Sequence, residues 1–243
     1  ELKVDEININ IKKSIPEHVG FGSKTQLYLG IAAGICKVYG IDKTAEELAR
    51  LVGRGGTSGI GVAAFDKGGF ILDGGHDADK GFSPSSFSNA SPPPIIARHE
   101  FPWWLVCAWP EEKGTHGEIE REVFEKSCPI PSNEVEGVSR IILMKMLPSL
   151  AENNIIDFGA SLNLMQETGF KKIEIGLQTE EVKELLAFLN ENSKGAGMSS
   201  FGPVCFSVCK SEAEAEELAK KIKENFNFNV ITTKANNKGA TWL

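Results

Sequence analysis

An α+β fold is what this sequence predicts, and three observations carry the expectation. Helix-like and strand-like segments alternate through the C-terminal third; apolar residues fall on alternate positions near the N-terminus; and capping patterns open helices at Thr44 and Ser211. With 243 residues and 41% apolar composition, the chain can bury a core without disulfides or metals, as one large domain or two modest ones.

Val4, Ile7, Ile9 and Ile11 alternate, so Lys3–Ile11 reads as a half-buried strand. After a Gly-rich turn, a helix is expected from Thr25 to Tyr39, with Leu27, Ile31, Ile35 and Val38 as its core stripe. Gly30, Ala32, Ala33 and Gly34 keep that helix thin. Thr44 with Glu47 forms a capping box, opening a second helix that turns Leu48, Leu51 and Val52 inward. Val62–Phe65 and Gly69–Asp73 read as strands joined at Asp66–Gly68. Ser83–Pro94, rich in Ser and ending in three prolines, reads as a connection between lobes spanning 1–92 and 93–243.

Beyond it, Ile95–Arg98 and Trp104–Trp109 look like strands, while Glu134–Leu147 and Leu150–Thr168 look helical. The remainder reads as helix (Glu180–Glu191), Gly-rich turn, strand (Val204–Cys209), helix (Glu212–Phe226) and strand (Asn229–Thr233). That order suggests an open sheet covered by helices on one side.

Composition excludes several functions. The charge balance, 26 − 33 = −7, is wrong for a nucleic-acid scaffold, which needs a basic stripe. No apolar run approaches the roughly 18–20 residues that span a bilayer. Five cysteines without a Cys-x-x-Cys pair suit buried thiols in a reducing cytoplasm, and four histidines show no ligand spacing. Trp103, Trp104 and Trp109 could stack an aromatic ring but read better as core.

The chemistry is expected in three glycine-rich segments. Pro16–Gln26 (PEHVGFGSKTQ) precedes a strong helix, so Gly20 and Gly22 can aim successive N–H groups at one point, with donors from Ser23, Lys24 and Thr25 and the positive helix end behind them. The pattern has the wrong spacing for a Walker A loop and lacks the third glycine of a dinucleotide fingerprint. Gly53–Gly61 (GRGGTSGIG) carries Arg54, which could meet an anion bidentately. Lys194–Pro203 (KGAGMSSFGP) offers close approach at Gly195, Gly197 and Gly202, with the hydroxyls of Ser199 and Ser200. Together they point to an anionic small molecule.

PEHVGFGSKTQ, GRGGTSGIGVAAFDKGGFILDGGH and GAGMSSFGPV resemble three signatures of the GHMP kinase superfamily, and most of all its β-ribofuranosylaminobenzene 5′-phosphate synthases of archaeal methanopterin biosynthesis. The resemblance runs from Ile15 onward. It implies a two-lobed GHMP-kinase-like fold with a ferredoxin-like C-terminal lobe. Two departures matter. Kinases of the superfamily commonly carry Ser-Gly-x-Asp in the middle block; here Ser58 and Gly59 match, but Gly61 stands where the Asp would activate the acceptor hydroxyl. Lys24 stands where those kinases often have a second Ser. Only about fifteen residues precede the first loop, so the chain is expected to be the C-terminal part of a longer protein.

The activity so implied condenses phosphoribosyl pyrophosphate with 4-aminobenzoate, releasing CO2 and pyrophosphate, with Mg2+ on the diphosphate; a cytoplasmic location and a homodimer are separate expectations. Gly20, Gly22, Ser23, Lys24 and Thr25 would cradle phosphate. Arg54, Gly55, Gly56, Thr57, Ser58 and Gly59 would line the cleft, and Gly195, Gly197, Ser199 and Ser200 would close it. Asp73 and His76 are the candidates for metal-water or acid–base work, and Lys113 is either a substrate contact or a loop lysine. Two other readings stay open: an ATP-dependent kinase with an unrecognised base, and a non-catalytic ligand-binding subunit.

Overall fold

A computed structural model describes residues 6–75, 91–111 and 118–242. The first layer is three helices: α1 (Ser23–Val38), α2 (Ala45–Leu51) and α3 (Ile60–Asp66). The capping box forms as expected: Glu47 N–H donates to Thr44 Oγ1 (3.2 Å), and Thr44 N–H donates to the Glu47 carboxylate (2.9 Å). Leu48 is buried beneath α2, whereas Leu51 is 65% exposed.

The inward face of α1 is the opposite of the expected stripe. Thr25, Leu29, Ala33 and Cys36 are the buried residues, packing with Leu48, Ala49 and Val62 of α2 and α3. Small side chains on this face let three helices approach closely, and apolar residues on both sides of α1 leave periodicity unable to choose between them. Leu27, Ile31, Ile35 and Val38 instead border a groove of about 770 Å³ whose opposite wall includes Ile7, Ile9 and Ile11. Those three alternate as a strand should. Yet residues 6–11 pair with no strand among the described residues, and Ile9 and Ile11 are each 52% exposed.

Val62–Phe65, expected as a strand, lies within α3. Here the start of the segment overrides β-branched preference: the Asp73 carboxylate accepts from Gly59 N–H (2.8 Å) at the helix's N-terminal end, and Val62 packs into the helical core. After α3 come β1 (Phe70–Asp73) and β2 (Ile95–His99), paired antiparallel with Phe70 opposite His99. Residues 83–90 of the expected connection lie outside the described residues.

The larger sheet contains β3 (Trp104–Trp109), β4 (Ala196–Met198), β5 (Cys205–Cys209) and β6 (Asn229–Lys234) in the order β4-β5-β3-β6, all antiparallel. Its helices are α4 (Glu118–Ser127), α5 (Ser132–Ile141), α6 (Leu147–Ala151), α7 (Ile155–Gln166), α8 (Gly169–Gly176), α9 (Glu180–Asn192) and α10 (Glu212–Asn225). A π-turn over Ile142–Met146 joins α5 to α6, and Asn153 at φ 54° separates α6 from α7, where the sequence suggested one run to Thr168. α4 and α8 were not anticipated.

One sheet face is sealed by α9 and α10: Leu185, Leu189, Leu218 and Ile222 lie against Val106, Ala108 and Cys205. Each such aliphatic side chain contributes about 1.5–3 kcal/mol by leaving water. The expectation of helices on one side is incomplete, because α7 runs along β4. Asn163 and Gln166 of α7 accept the N–H groups of Ala196 and Met198 (2.9 Å each), which closes a sheet edge otherwise open to pairing. Phe158 and Leu162 of α7 reach the second face, where they meet Phe101, Trp103 and Val208.

The segment after β6 ties the two sheets together. Gly69 N–H donates to Asn236 O (2.8 Å), and Asn237 exchanges hydrogen bonds with the Phe101 backbone. The Arg98 guanidinium donates to the carbonyls of Lys67, Gly68 and Asn237, satisfying the C-terminal end of α3. A side chain at Gly68 would put a Cβ 2.0 Å from Asn236 O, so only glycine fits there.

Candidate functional site

The first glycine loop leads straight into α1. Gly22 sits at φ 67° as the N-cap; no side chain caps the helix and no acidic residue occupies its first turn. The positive end of a 16-residue helix is thus left uncompensated by carboxylate, with Lys24 exposed beside it. Thr25, expected as a phosphate donor, is buried. Its Oγ1 accepts from Nε and one terminal nitrogen of Arg54 (3.0 and 2.9 Å). Thr25 and Arg54 therefore spend this contact joining the first two loops.

The second loop is organised by Asp73 at the end of β1. One carboxylate oxygen accepts from Ser58 Oγ (3.1 Å) and Gly59 N–H (2.8 Å), and the other accepts from Gly75 N–H (3.2 Å). Gly55 and Gly59 are buried against Pro92 and Pro93; a Cβ on Gly55 would meet Pro92 at 2.8 Å. Gly61, in α3, packs against α1, its carbonyl accepting from Gln26 Nε2 (2.8 Å) and its missing Cβ facing Thr25 Cγ2 at 3.1 Å. The position expected to hold a carboxylate in kinases is here a helix–helix contact.

The third segment is not a loop throughout. Gly195 and Gly197 are buried around β4: Gly195 presses on the Gly159 backbone of α7, and Gly197 on Gln166 and Leu162. Both let a helix approach a strand rather than face a cleft. The turn itself is narrower, closed by Ser199 N–H donating to Val204 O (3.0 Å). Lys171 of α8 and Gln178 just beyond that helix brace it: Lys171 Nζ donates to Ser200 O and Gln178 Nε2 to Phe201 O, each at 3.0 Å.

This turn meets the first loop directly. Ser199 Oγ donates to Gly20 O (2.9 Å), and Val204 N–H donates to Val19 O (2.9 Å). Gly20 has φ 107°, and a Cβ there would stand 2.6 Å from Ser199 O. Segments nearly 180 residues apart in sequence thus converge.

Beneath the convergence lies an apolar cavity of about 370 Å³ between the two sheets. Phe21 enters it from the first loop, Ile60 from the end of the second and Ser199 from the third; Leu105, Cys107 and Phe206 form the sheet wall. Phe21 is itself held edge-on against Trp109, with ring centroids 5.2 Å apart. Burial pushes the Cys107 thiol up to about 12, so it stays neutral and apolar in character. Trp103 and Trp109 are core residues, as the sequence favoured.

His76 and Lys113 lie outside the described residues. Among the described residues, no three His, Cys, Asp or Glu side chains gather as a metal site. Sequence reasoning missed the cavity. Its one visible signal was Phe21, a large apolar residue between two glycines.

Two family descriptions match: "GHMP kinases N terminal domain" over residues 1–69 and "GHMP kinases C terminal" over residues 146–227. The β-ribofuranosylphenol 5′-phosphate synthase of Methanocaldococcus jannaschii is 42% identical over 241 residues, which cover 96% of this chain and 73% of that protein. The protein of the same name from Methanothermobacter thermautotrophicus is 43% identical over 243 residues, covering 97% and 73%. In fold, the chain matches mevalonate kinase of L. major in complex with R-mevalonate at a TM-score of 0.67 and 15% identity, covering 91% of this chain and 68% of that one. Two family matches and this depth of identity establish that the chain belongs to the GHMP kinase superfamily, alongside these synthases.

Proposed function

We propose that the protein condenses phosphoribosyl pyrophosphate with 4-aminobenzoate, forming β-ribofuranosylaminobenzene 5′-phosphate, CO2 and pyrophosphate, as an early step of methanopterin biosynthesis. The observation that carries this reading is identity above 40%, across nearly all of the chain, to relatives named as synthases of a ribofuranosyl–arene 5′-phosphate. Those names specify a phenol. That favours a second acceptor, 4-hydroxybenzoate, whose para hydroxyl supplies the same electron push as the amine.

The bond to the diphosphate breaks at the anomeric carbon, its electron pair leaving with pyrophosphate. The ring carbon bearing the carboxylate attacks that carbon, and the C–CO2 bond then breaks and returns its pair to the ring. No covalent enzyme intermediate is needed, so positioning and charge stabilisation supply the catalysis. Lys24 and the positive end of α1, with Ser23 and the N–H groups around Gly20 and Gly22, bind the phosphate groups. Ser58 and Asp73 hold the second loop against them. The Ser199–Gly20 contact fixes the far wall.

Mg2+ fits as an ion carried mainly by the diphosphate, since the described residues provide no three-ligand cluster and Mg2+ commonly uses one or two carboxylates with substrate phosphates. Asp73 is the carboxylate that would hold it, and the ion would neutralise the departing diphosphate. The carboxylate that kinases of the superfamily commonly carry here has no counterpart at this position, because Gly61 stands there and packs on Thr25. Buried, neutral thiols at Cys107 and Cys205 suit a reducing cytoplasm.

The test is turnover of phosphoribosyl pyrophosphate with 4-aminobenzoate and 4-hydroxybenzoate in parallel. Product with either acid supports the reading and ranks the acceptors; product with neither overturns it.

A further inference from the structure

We propose that the apolar cavity beneath the glycine loops seats the aromatic ring of the acceptor, an assignment that rests on the function proposed above and adds the acceptor's binding residues to it. A condensation between an anionic sugar diphosphate and an arene needs two unlike subsites that share a border. The loops offer the polar one. The cavity offers the other, and Phe21, Ile60 and Ser199 belong to both, since each comes from a different glycine-rich segment and lines the cavity.

Size and chemistry agree with a single substituted ring. The volume of about 370 Å³ lies near the small end of ligand sites, which run from roughly 300 to 1,000 Å³. Phe21, Leu105 and Phe206 are half-buried, so apolar and aromatic surface is already shaped and still open to a guest. Cys107 adds a thiol that remains protonated at neutral pH.

The same walls fix the acceptor's orientation. Phe21, Ile60, Leu105 and Phe206 offer a carboxylate no ionic partner, so the acid group faces the polar loops, where the anomeric carbon is presented. A carboxylate held at the border of an apolar cavity is poorly solvated. Its negative charge and the positive charge left on the ring by the attack cancel as the C–CO2 bond breaks, and low polarity favours that step.

Two variants of the intact protein test the assignment. Ile60 is 48% exposed at the cavity rim, so Ile60→Trp narrows the cavity without disturbing a core position. It should raise KM for 4-aminobenzoate at least about tenfold, the equivalent of some 1.4 kcal/mol, with KM for phosphoribosyl pyrophosphate within about twofold. Phe206→Ala enlarges the cavity and should raise turnover of 4-amino-1-naphthoate above that of the unmodified protein. An unchanged KM for the benzoate in Ile60→Trp, or no gain of the naphthoate in Phe206→Ala, with circular dichroism unaltered, overturns the assignment. If the unmodified protein turns over neither benzoate, the proposed reaction has failed. Calorimetric titration of 4-aminobenzoate then still decides the cavity: binding lost in Ile60→Trp supports it, and equal binding or none overturns it.

Discussion

Replacing Gly20 by alanine probes the contact that brings the first and third glycine segments together, with Gly22 as the neighbouring control. Both residues have positive φ, 107° and 67°; at 67° an L-residue is strained by about 1–2 kcal/mol, and 107° lies beyond the αL region, so the backbone strain of Gly20→Ala is no smaller. Part of this is offset, by about 0.4–1 kcal/mol, because alanine restricts the unfolded chain. Gly22 has nothing within 4 Å of its added Cβ, and Gly22→Ala should cost about 1 kcal/mol or less. Gly20→Ala places its Cβ 2.6 Å from Ser199 O and 2.9 Å from Val204 Cγ1. One partner is backbone and cannot rotate away. Overpacking of this kind adds about 1–3 kcal/mol.

For a chain of this length each kcal/mol moves Tm by about 2–4 °C, so Gly20→Ala should melt about 4–8 °C below Gly22→Ala at a central difference of about 2 kcal/mol. Thermal unfolding followed by circular dichroism measures this. Equal melting temperatures would show that the two segments do not touch in solution, and the shared cleft would fall with that contact.

Lys24→Ala should weaken phosphoribosyl pyrophosphate binding about 5- to 150-fold, the equivalent of about 1–3 kcal/mol, and change the aromatic acid's KM much less; separate titrations decide it. Thr25→Val removes the acceptor of two Arg54 hydrogen bonds and should destabilise the protein by about 1.5–3 kcal/mol in urea unfolding; no loss would mean the pair is not formed. Of five thiols, only Cys128 is exposed, so a disulfide reagent at pH 7.5 should label one rapidly in the native state and all five after denaturation. Burial raises the Cys107 thiol from 9.0 to about 12. The neutral form is the one the fold prefers, so this contribution to stability is whole below pH 9 and fades as pH rises from 9 toward 12, which alkaline unfolding curves would reveal.

The fold was most legible where local chemistry and tertiary packing agree. Thr44–Glu47 and Ser211 open their helices as read, and β3, β5 and β6 follow period-two or strongly β-forming runs that the sheet keeps. It was least legible where the choice is made by a distant partner. Val62–Phe65 has strand-forming residues, yet Asp73 and the α1–α2 surface hold it as a helix. α1 is apolar on two sides, and only its neighbours decide that Leu29 and Ala33 go inward.

The glycine segments were legible as a group but not residue by residue. A glycine required for a positive φ, such as Gly20, and one required for helix–strand contact, such as Gly195, look alike in sequence. The cavity was harder still. Its walls come from Phe21, Ile60, Leu105 and Phe206, which no local pattern relates.

The central claim is that this kinase-like fold joins a ribosyl group to an arene instead of moving a phosphoryl group. The direct test uses 4-aminobenzoate carrying a labelled carboxyl group, mixed with phosphoribosyl pyrophosphate and the intact protein. Labelled CO2 and pyrophosphate should appear together, one for one, only when both substrates are present and without any requirement for ATP. Retention of the label on the ring, or turnover that depends on ATP, would contradict the account.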